Sequence, residues 1–493
     1  MNQIKNVFHS FLRSNLLSGA AIYVFGNLLQ KAATFLLIPL YTYYLSPEDF
    51  GIIGIVQSIN QILVIILALG INAAIQRYYY DYYQDDTQLR QYISSTFLFL
   101  TVAASAVSLG LLLAGKPIWE TLFRYVPFAP YAQLMIWAVW GSVLTQYALN
   151  LYRARQEPVR FVVTQIGNFL LATTATIYFV AFRHLGAKGQ LMGLLTGSVV
   201  TALVSSILLL KEYFTLQIDW KFIRVSMVYG LPLIPHLIAQ WVKTSLDRVI
   251  LENYTTLAEV GIYSLGYKLG FIMEILVSSV NYAYVPYFFE MMKNHPHPGE
   301  RFKKIMAVYV TVFGSICLAG VLFGHEIVQL LAPPVYYPSA RVVPLILFGF
   351  LINGYYFLFV NPLFYFEKTH WLPWLTGAAA VVSIGFNFVL IPQYGALGAA
   401  WSLVVSIVLT FILTFFVSRK VWQVDLCYGR YLLLNTLIGF AAVWMTYTEG
   451  PKSGTGTFVL KLFIGGGYVL LAYILLLGEH KEWFVLRLKR SSL

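Results

Sequence analysis

Charge is scarce in this chain. Lys, Arg, Asp and Glu make up 11% of its 493 residues, where a soluble domain carries roughly 25%, so an ordinary water-facing surface cannot be assembled from them. Cysteine is almost missing as well. Cys317 lies in an apolar run and Cys427 in a basic loop, which excludes a disulfide scaffold and offers no metal-ligand spacing. No cleavable signal is expected at the start, because "MNQIKNVFHSFLRSN" is a short, weakly basic lead into an apolar run. Long external loops are missing too. The longest, "KPIWETLFRYVPFAP", holds no cluster of acids, bases or nucleophiles, which argues against reaction chemistry outside the membrane.

Apolar sequence is what the chain has in quantity. Hydrophobic residues reach 59%, aromatics 17%, and the mean hydropathy is +0.70. Runs of about 20 apolar residues, the length that spans a bilayer as helix, recur from end to end. The expected fold is therefore all-α and integral to a membrane, with about 14 transmembrane helices at roughly 16–45, 50–72, 92–114, 131–152, 161–182, 191–210, 230–253, 261–288, 305–331, 341–366, 372–392, 395–418, 430–447 and 458–478. The first, seventh and eighth runs are longer than a span needs and are expected to tilt, bend or protrude.

The excess of base sets the orientation. With the N-terminus inside, internal segments hold 22 of the 33 Lys and Arg, external segments 6, and five (Lys31, Lys243, Arg248, Lys268, Lys461) fall within spans. The positive-inside rule then places both termini in the cytoplasm. The formal charge of +12 is accounted for by topology and by contact with anionic headgroups of membrane lipids, and nucleic acid is not an expected partner.

The chain also repeats. At a shift of 210 residues Tyr44 falls on Tyr254, Gly51 on Gly261, Ile52 on Ile262 and Tyr79 on Phe289, so "YYLSPEDFGIIG" aligns with "NYTTLAEVGIYS". At a shift of 209, "HLGAKG" (184–189) aligns with "QYGALG" (393–398). Six spans separate the copies. An even number leaves both facing the same way, a parallel repeat about an axis along the membrane normal. The expected organisation is an N-terminal six-helix lobe (1–210), a cytoplasmic amphipathic linker (211–229), a pseudo-symmetric C-terminal six-helix lobe (230–418), and two additional transmembrane helices with a basic cytoplasmic tail (419–493). In such repeats the substrate path lies between lobes.

Charges inside spans are the candidate functional residues, because one at the bilayer centre costs about 2.5–3.5 kcal/mol on insertion scales. In "KTSLDRVIL", Lys243 and Asp247 stand four apart and share a helix face, with Arg248 about 100° round from Asp247. Two readings are open: a neutralised pair that stitches helices, or a polar wall facing a wet cavity. Lys31 lies near the repeat-related depth of Lys243, whereas Asp247 has no counterpart, since the shift lands on Leu37. Glu274 is either a packing hydrogen-bonder or a proton or cation site, and Lys461 reads as an interfacial anchor. Arg77, in "INAAIQRYYYDYY", is either part of an aromatic belt or a headgroup contact. Prolines at 39, 232, 235, 286, 344, 362, 373 and 392 interrupt or begin spans, and Pro232 with Pro235 predicts a bend just before Lys243.

The segments "GNLLQKAATFLLIPLYTYYLSPEDFGIIG", "GINAAIQRYYY", "SLDRVILENYTTLAEVGIYSLGYKLG" and "NFVLIPQYGALGAAWSLVVS" resemble the bacterial polysaccharide flippases (Wzx-type) of the multidrug/oligosaccharidyl-lipid/polysaccharide exporter superfamily. The likeness covers about residues 15–420 and is most specific in the third segment. It implies movement of an undecaprenyl-diphosphate-linked glycan from the inner to the outer leaflet of the inner membrane by alternating access, for O-antigen or exopolysaccharide export. It further implies that Lys31, Lys243 and Arg248 contact the diphosphate, that Arg77 receives it at the cytoplasmic mouth, and that Asp247 or Glu274 acts as a cavity acid or binds a coupling H+ or Na+. No cofactor, metal or catalytic residue is expected, and a polysaccharide polymerase is a partner of this class. A lipid II flippase is the nearest alternative, although more arginine would be expected in the first span. A membrane polysaccharide polymerase or ligase is the alternative from another class, and it would need the reactive external loop that is missing.

Overall fold

The computed structural model describes residue 26 and residues 29–215, 217–448 and 455–477. Most of the first expected span, both termini and the basic tail lie outside the described residues. Within them the chain is helical, with no strand. The helices are α1 (Ile38–Tyr44), α2 (Pro47–Leu67), α3 (Ile71–Tyr82), α4 (Asp86–Leu122), α5 (Gln133–Ala154), α6 (Pro158–Ile177), α7 (Gly186–Tyr213), α8 (Trp220–Gly230) and α9 (Ile234–Tyr254), followed by α10 (Leu257–Asn294), α11 (Pro298–Leu322), α12 (Gly324–Leu331), α13 (Val343–Tyr365), α14 (Leu372–Val421), α15 (Tyr428–Tyr447) and α16 (Thr455–Ala472).

Among the described residues eleven helical stretches are long and apolar enough to cross a membrane. The fourteen expected spans exceed that number at three places. The first is mostly outside the described residues; 372–392 and 395–418 count as a single stretch, Thr369–Val421; and Tyr428–Tyr447 is not among the eleven. Inside that single stretch the helix breaks at Gly395, with φ 54° and ψ −129°, where the sequence placed a turn.

The repeat is written into the helix ends. α1 stops at Tyr44 and α9 at Tyr254, while α2 starts at Pro47 and α10 at Leu257, each pair offset by the 210 residues read from the sequence. Gly186 and Gly395, related by 209, both have positive φ, 56° and 54°, a conformation that glycine adopts without steric cost. Between α2 and α10 the copies meet reciprocally. A Cβ on Gly51 would lie 2.0 Å from the carbonyl oxygen of Leu257, and one on Gly261 would lie 1.8 Å from that of Pro47. Small residues permit backbones to approach this closely in membrane proteins.

The turn before α2 is fixed by Asp49. Its Oδ2 accepts from the Ser46 amide at 3.1 Å, the Ser46 hydroxyl accepts from the Asp49 amide at 3.2 Å, and its Oδ1 accepts from the Ala187 amide at 2.7 Å. A capping box thus also clamps the start of α7, joining the two motifs that the repeat search singled out.

The chain divides into two compact units, one running Leu12–Gly261 and the other containing Ile262–Leu493. In the first, α9 lies along α2: the Trp241 indole donates to the Ser58 carbonyl at 2.7 Å and the Ser245 hydroxyl to Gln61 Oε1 at 2.9 Å. The residues ahead of it form a 3-10 turn, Leu231–Leu233, joining α8 to α9 at the Pro232 position where a bend is expected. α8 is amphipathic, with Phe222, Ile223 and Ser226 buried and Trp220 and Val228 exposed. In the second unit α13 is buried along most of its length, and the Tyr309 hydroxyl donates to the Leu351 carbonyl at 2.9 Å. Lys461 is not an interfacial anchor. Its ammonium is buried, donates to Glu326 and sits 5.5 Å from the centre of the Phe323 ring. The partly buried carboxylate on α12 supplies the partner that the sequence alone did not reveal.

Candidate functional site

The charges of α9 are held inside the protein. Lys243, Asp247 and Arg248 are 6%, 3% and 7% exposed, on a helix continuous with a candidate membrane span, Trp220–Tyr254. Asp247 Oδ1 accepts from the Arg248 backbone amide at 2.8 Å and from the Arg248 guanidinium at 3.2 Å, and that guanidinium also donates to the Thr244 carbonyl at 3.0 Å. Adjacent residues on a helix normally diverge, so this pairing requires both side chains to fold back along the helix. It brings Asp247 together with Arg248, its neighbour in sequence.

One turn further along α9 is an acid that charge spacing did not single out. Glu252 is fully buried and accepts from the backbone amides of Arg124 and Tyr125, tying α9 to the segment after α4. Asn253 donates to the Leu122 carbonyl at 2.9 Å and strengthens the same junction. In sequence Glu252 reads as an acid near a helix end, beside "NYTT", and nothing local marks it as a clamp.

Lys31 is half-buried in the helical residues 29–36, next to Gln30, whose side chain accepts from Gln165 at 2.6 Å. Glu274 lies in the second unit, where the Asn353 amide donates to its Oε2 at 2.8 Å. The packing hydrogen bond is therefore present. Among the described residues no three His, Cys, Asp or Glu side chains come together so as to hold a metal ion.

Arg77 lies in a different setting, on α3, in the loop region that the charge count assigns to the cytoplasm. Its guanidinium bonds Asp81 at 2.7 Å and stands 5.5 Å from the centre of the Tyr78 ring. The Asp81 hydrogen bond, followed by its charge, holds the guanidinium pKa above its ordinary value, so Arg77 is cationic at every working pH. It borders a polar cavity of about 420 Å³ lined also by Asn72, Ala73, Gln76, Asn150 and Tyr229. Sequence reading found the arginine and its tyrosines but not the carboxamides. Asn72 and Gln76 are spaced i,i+4 on one face of α3, a signal that becomes legible only once Asn150 is brought opposite by α5.

Residues 16–292 match the model of a family described as "Polysaccharide biosynthesis protein". Among curated proteins, "Lsg locus putative protein 1" of Haemophilus influenzae is 22% identical over 77% of this chain and 94% of its own. A lipid III flippase of Escherichia coli is 21% identical over 40% of this chain and 47% of its own. Among solved structures, the lipid II flippase MurJ in an inward closed conformation has the same fold, with a TM-score of 0.69 at 11% identity over 93% of this chain and 97% of that one.

Proposed function

The chain belongs to the polysaccharide biosynthesis protein family, and from that footing we propose that it flips an undecaprenyl-diphosphate-linked oligosaccharide from the inner to the outer leaflet of the bacterial inner membrane, for O-antigen or exopolysaccharide export. A multi-pass membrane transporter of the flippase type is what the family and the fold support. The nature of the cargo rests on the charges. The observation that carries the reading is α9, where two cations (Lys243 and Arg248) and two acids (Asp247 and Glu252) are buried in a stretch otherwise fit to cross lipid. Intramembrane charge of this kind marks a substrate or ion pathway.

A diphosphate-sugar headgroup is anionic and hydrated, so its passage requires cations and water while the lipid tail stays in the bilayer. In the proposed cycle Arg77 meets the headgroup at the cytoplasmic mouth. Bending at the Leu231–Leu233 turn then turns Lys243 and Arg248 from their buried positions towards it, with Lys31 presented from the first span. Asp247 holds Arg248 until the phosphate competes for it. An inside-negative potential favours outward movement of an anion by about 2.3 kcal/mol per charge per 100 mV, so H+ or Na+ coupling through Asp247 or Glu274 is compatible with the cycle but not required by it. The chain acts here as a transporter with both termini in the cytoplasm, two lobes and fourteen spans, and a polymerase takes the flipped glycan. No bond is made or broken by the chain itself.

The test replaces Lys243 and Arg248 by Gln, singly and together, in a strain whose surface glycan depends on this protein, and quantifies inserted protein and surface glycan in the same cells. Normal protein with lost glycan and lipid-linked precursor retained on the cytoplasmic face is the expected result. Full glycan at normal protein level removes these residues from the path. Growth of a lipid II flippase-depleted strain rescued by this chain would reassign the cargo to lipid II.

A further inference from the structure

We propose that the cavity bordered by Asn72, Gln76, Arg77, Asn150 and Tyr229 is a sugar subsite, which takes the pyranose ring next to the diphosphate while the headgroup waits at the cytoplasmic mouth; this rests on the flippase reading above. The cavity of about 420 Å³ falls within the roughly 300–1,000 Å³ of small-ligand sites. Its chemistry is mostly neutral. Three carboxamides face one volume, and the single cation, Arg77, is already matched by Asp81 at 2.7 Å. A site built for phosphate would carry unmatched positive charge. One built from amides and a phenol ring suits hydroxyl and acetamido groups, each of which both donates and accepts hydrogen bonds.

The site is constructed rather than incidental. Gln76 Nε2 donates to Asn150 Oδ1 at 2.6 Å, and Asn150 Nδ2 donates to the Gln146 carbonyl at 2.8 Å, which fixes two of the amides in a chain. Asn72, one turn before Gln76 on the same face of α3, lines the cavity beside them. The walls are locked at the backbone. Gly70, with φ 71°, opens α3, and a Cβ there would lie 2.3 Å from the carbonyl carbon and oxygen of Gly230, the residue after Tyr229. The Tyr80 hydroxyl, donating to the Ala154 carbonyl at 2.9 Å, pins α3 to the end of α5. The Tyr229 ring meets Tyr78 edge-on at 5.7 Å, which holds it in place as a surface for the apolar face of a sugar.

The test uses the full chain in lipid nanodiscs and three probes: undecaprenyl diphosphate, the same lipid bearing one N-acetylglucosamine, and the same lipid bearing one galactose, with Kd read by native mass spectrometry. At least one sugar-bearing lipid should bind tenfold or more tightly than the bare lipid. Gln76→Ala and Asn150→Ala should remove that increment while changing the Kd of the bare lipid less than twofold. Gln76 is exposed, so its variant folds even where Asn72→Ala does not, and Tyr229→Ala supplies a second change outside the amide chain. Equal Kd for all three probes in the unaltered protein overturns the sugar subsite and leaves the flippase reading standing. Binding of none of them overturns the flippase reading, and the subsite with it. Variants that weaken bare and sugar-bearing lipids alike would make the cavity a phosphate site instead.

Discussion

Asp247 and Arg248 form a pair that is strong only while both members are present. A buried ion pair is weak evidence for net stability, but removing one partner strands a charge, at a cost of about 3–5 kcal/mol. Asp247→Ala should therefore lower the thermal midpoint of the detergent-solubilised protein more than the Asp247→Ala, Arg248→Ala double variant does. Equal losses would show that neighbouring groups, and not the pair, carry the charge. Glu252 makes a different kind of contact, since its two acceptor bonds go to backbone amides. Glu252→Ala leaves both donors to find other partners and should cost about 1–3 kcal/mol. Glu252→Gln retains an acceptor oxygen and should lose less, as read by thermal unfolding of the same preparations. The contrast between these residues explains what was legible. Lys243, Asp247 and Arg248 stand out because charge interrupts an apolar run, whereas Glu252 lies at a helix end where acid is ordinary, and its partners are 127 and 128 residues away in sequence.

Among the elements, the crossing of α2 and α10 is the feature most sensitive to side-chain volume. With carbonyl oxygens 2.0 and 1.8 Å from where a Cβ would sit, Gly51→Ala and Gly261→Ala each force a backbone shift. Overpacking of this kind typically costs about 1–3 kcal/mol. The two variants should fall by similar amounts in a thermal-stability assay by size-exclusion chromatography, because each meets the same kind of obstacle. A large effect from one and none from the other would show that the crossing is lopsided. The glycines were visible in advance through their shared offset, and the break near Gly395 through the boundary between the expected spans 372–392 and 395–418. The continuity of α8 with α9 was not, since "IDWKFIRVSMVYG" alternates charge with bulk as a surface helix does, and only the 3-10 turn at Leu231–Leu233 shows it running on into the charged helix. The pairing of Lys461 with Glu326 was hidden for a similar reason: the two are 135 residues apart, and a lysine near a span end looks like an anchor.

For the whole molecule, the two cysteines serve as reporters of packing and orientation. Cys317 is buried and Cys427 exposed, so only Cys427 is within reach of a reagent in solution. A membrane-impermeant maleimide should leave Cys427 unlabelled on intact spheroplasts and label it once the membrane is opened, while Cys317 reacts only after denaturation. Labelling of Cys427 from outside would invert the topology drawn from the basic loops. The membrane class and the helical fold follow from composition, and the orientation is what the positive-inside rule predicts from the basic loops. The compact units are less legible. α9 is held along α2 by Trp241 and Ser245 and so packs with the residues before it, although the repeat marks it as the opening helix of the second copy.

The reciprocity at Gly51 and Gly261 has a consequence for descent. Residue 51 meets 257 while 261 meets 47, the exchange of roles that defines an isologous contact between identical subunits. A half-length chain paired with itself would make this crossing with a single glycine codon, because every copy supplies both sides. Once the halves are fused, the contact must be maintained by two codons that mutate independently, while everything away from it is released from self-complementarity. The alignment of Asp247 with Leu37 at the same shift is what such a release permits: an acid in one copy where the other holds an apolar residue, which a true homodimer could not have encoded.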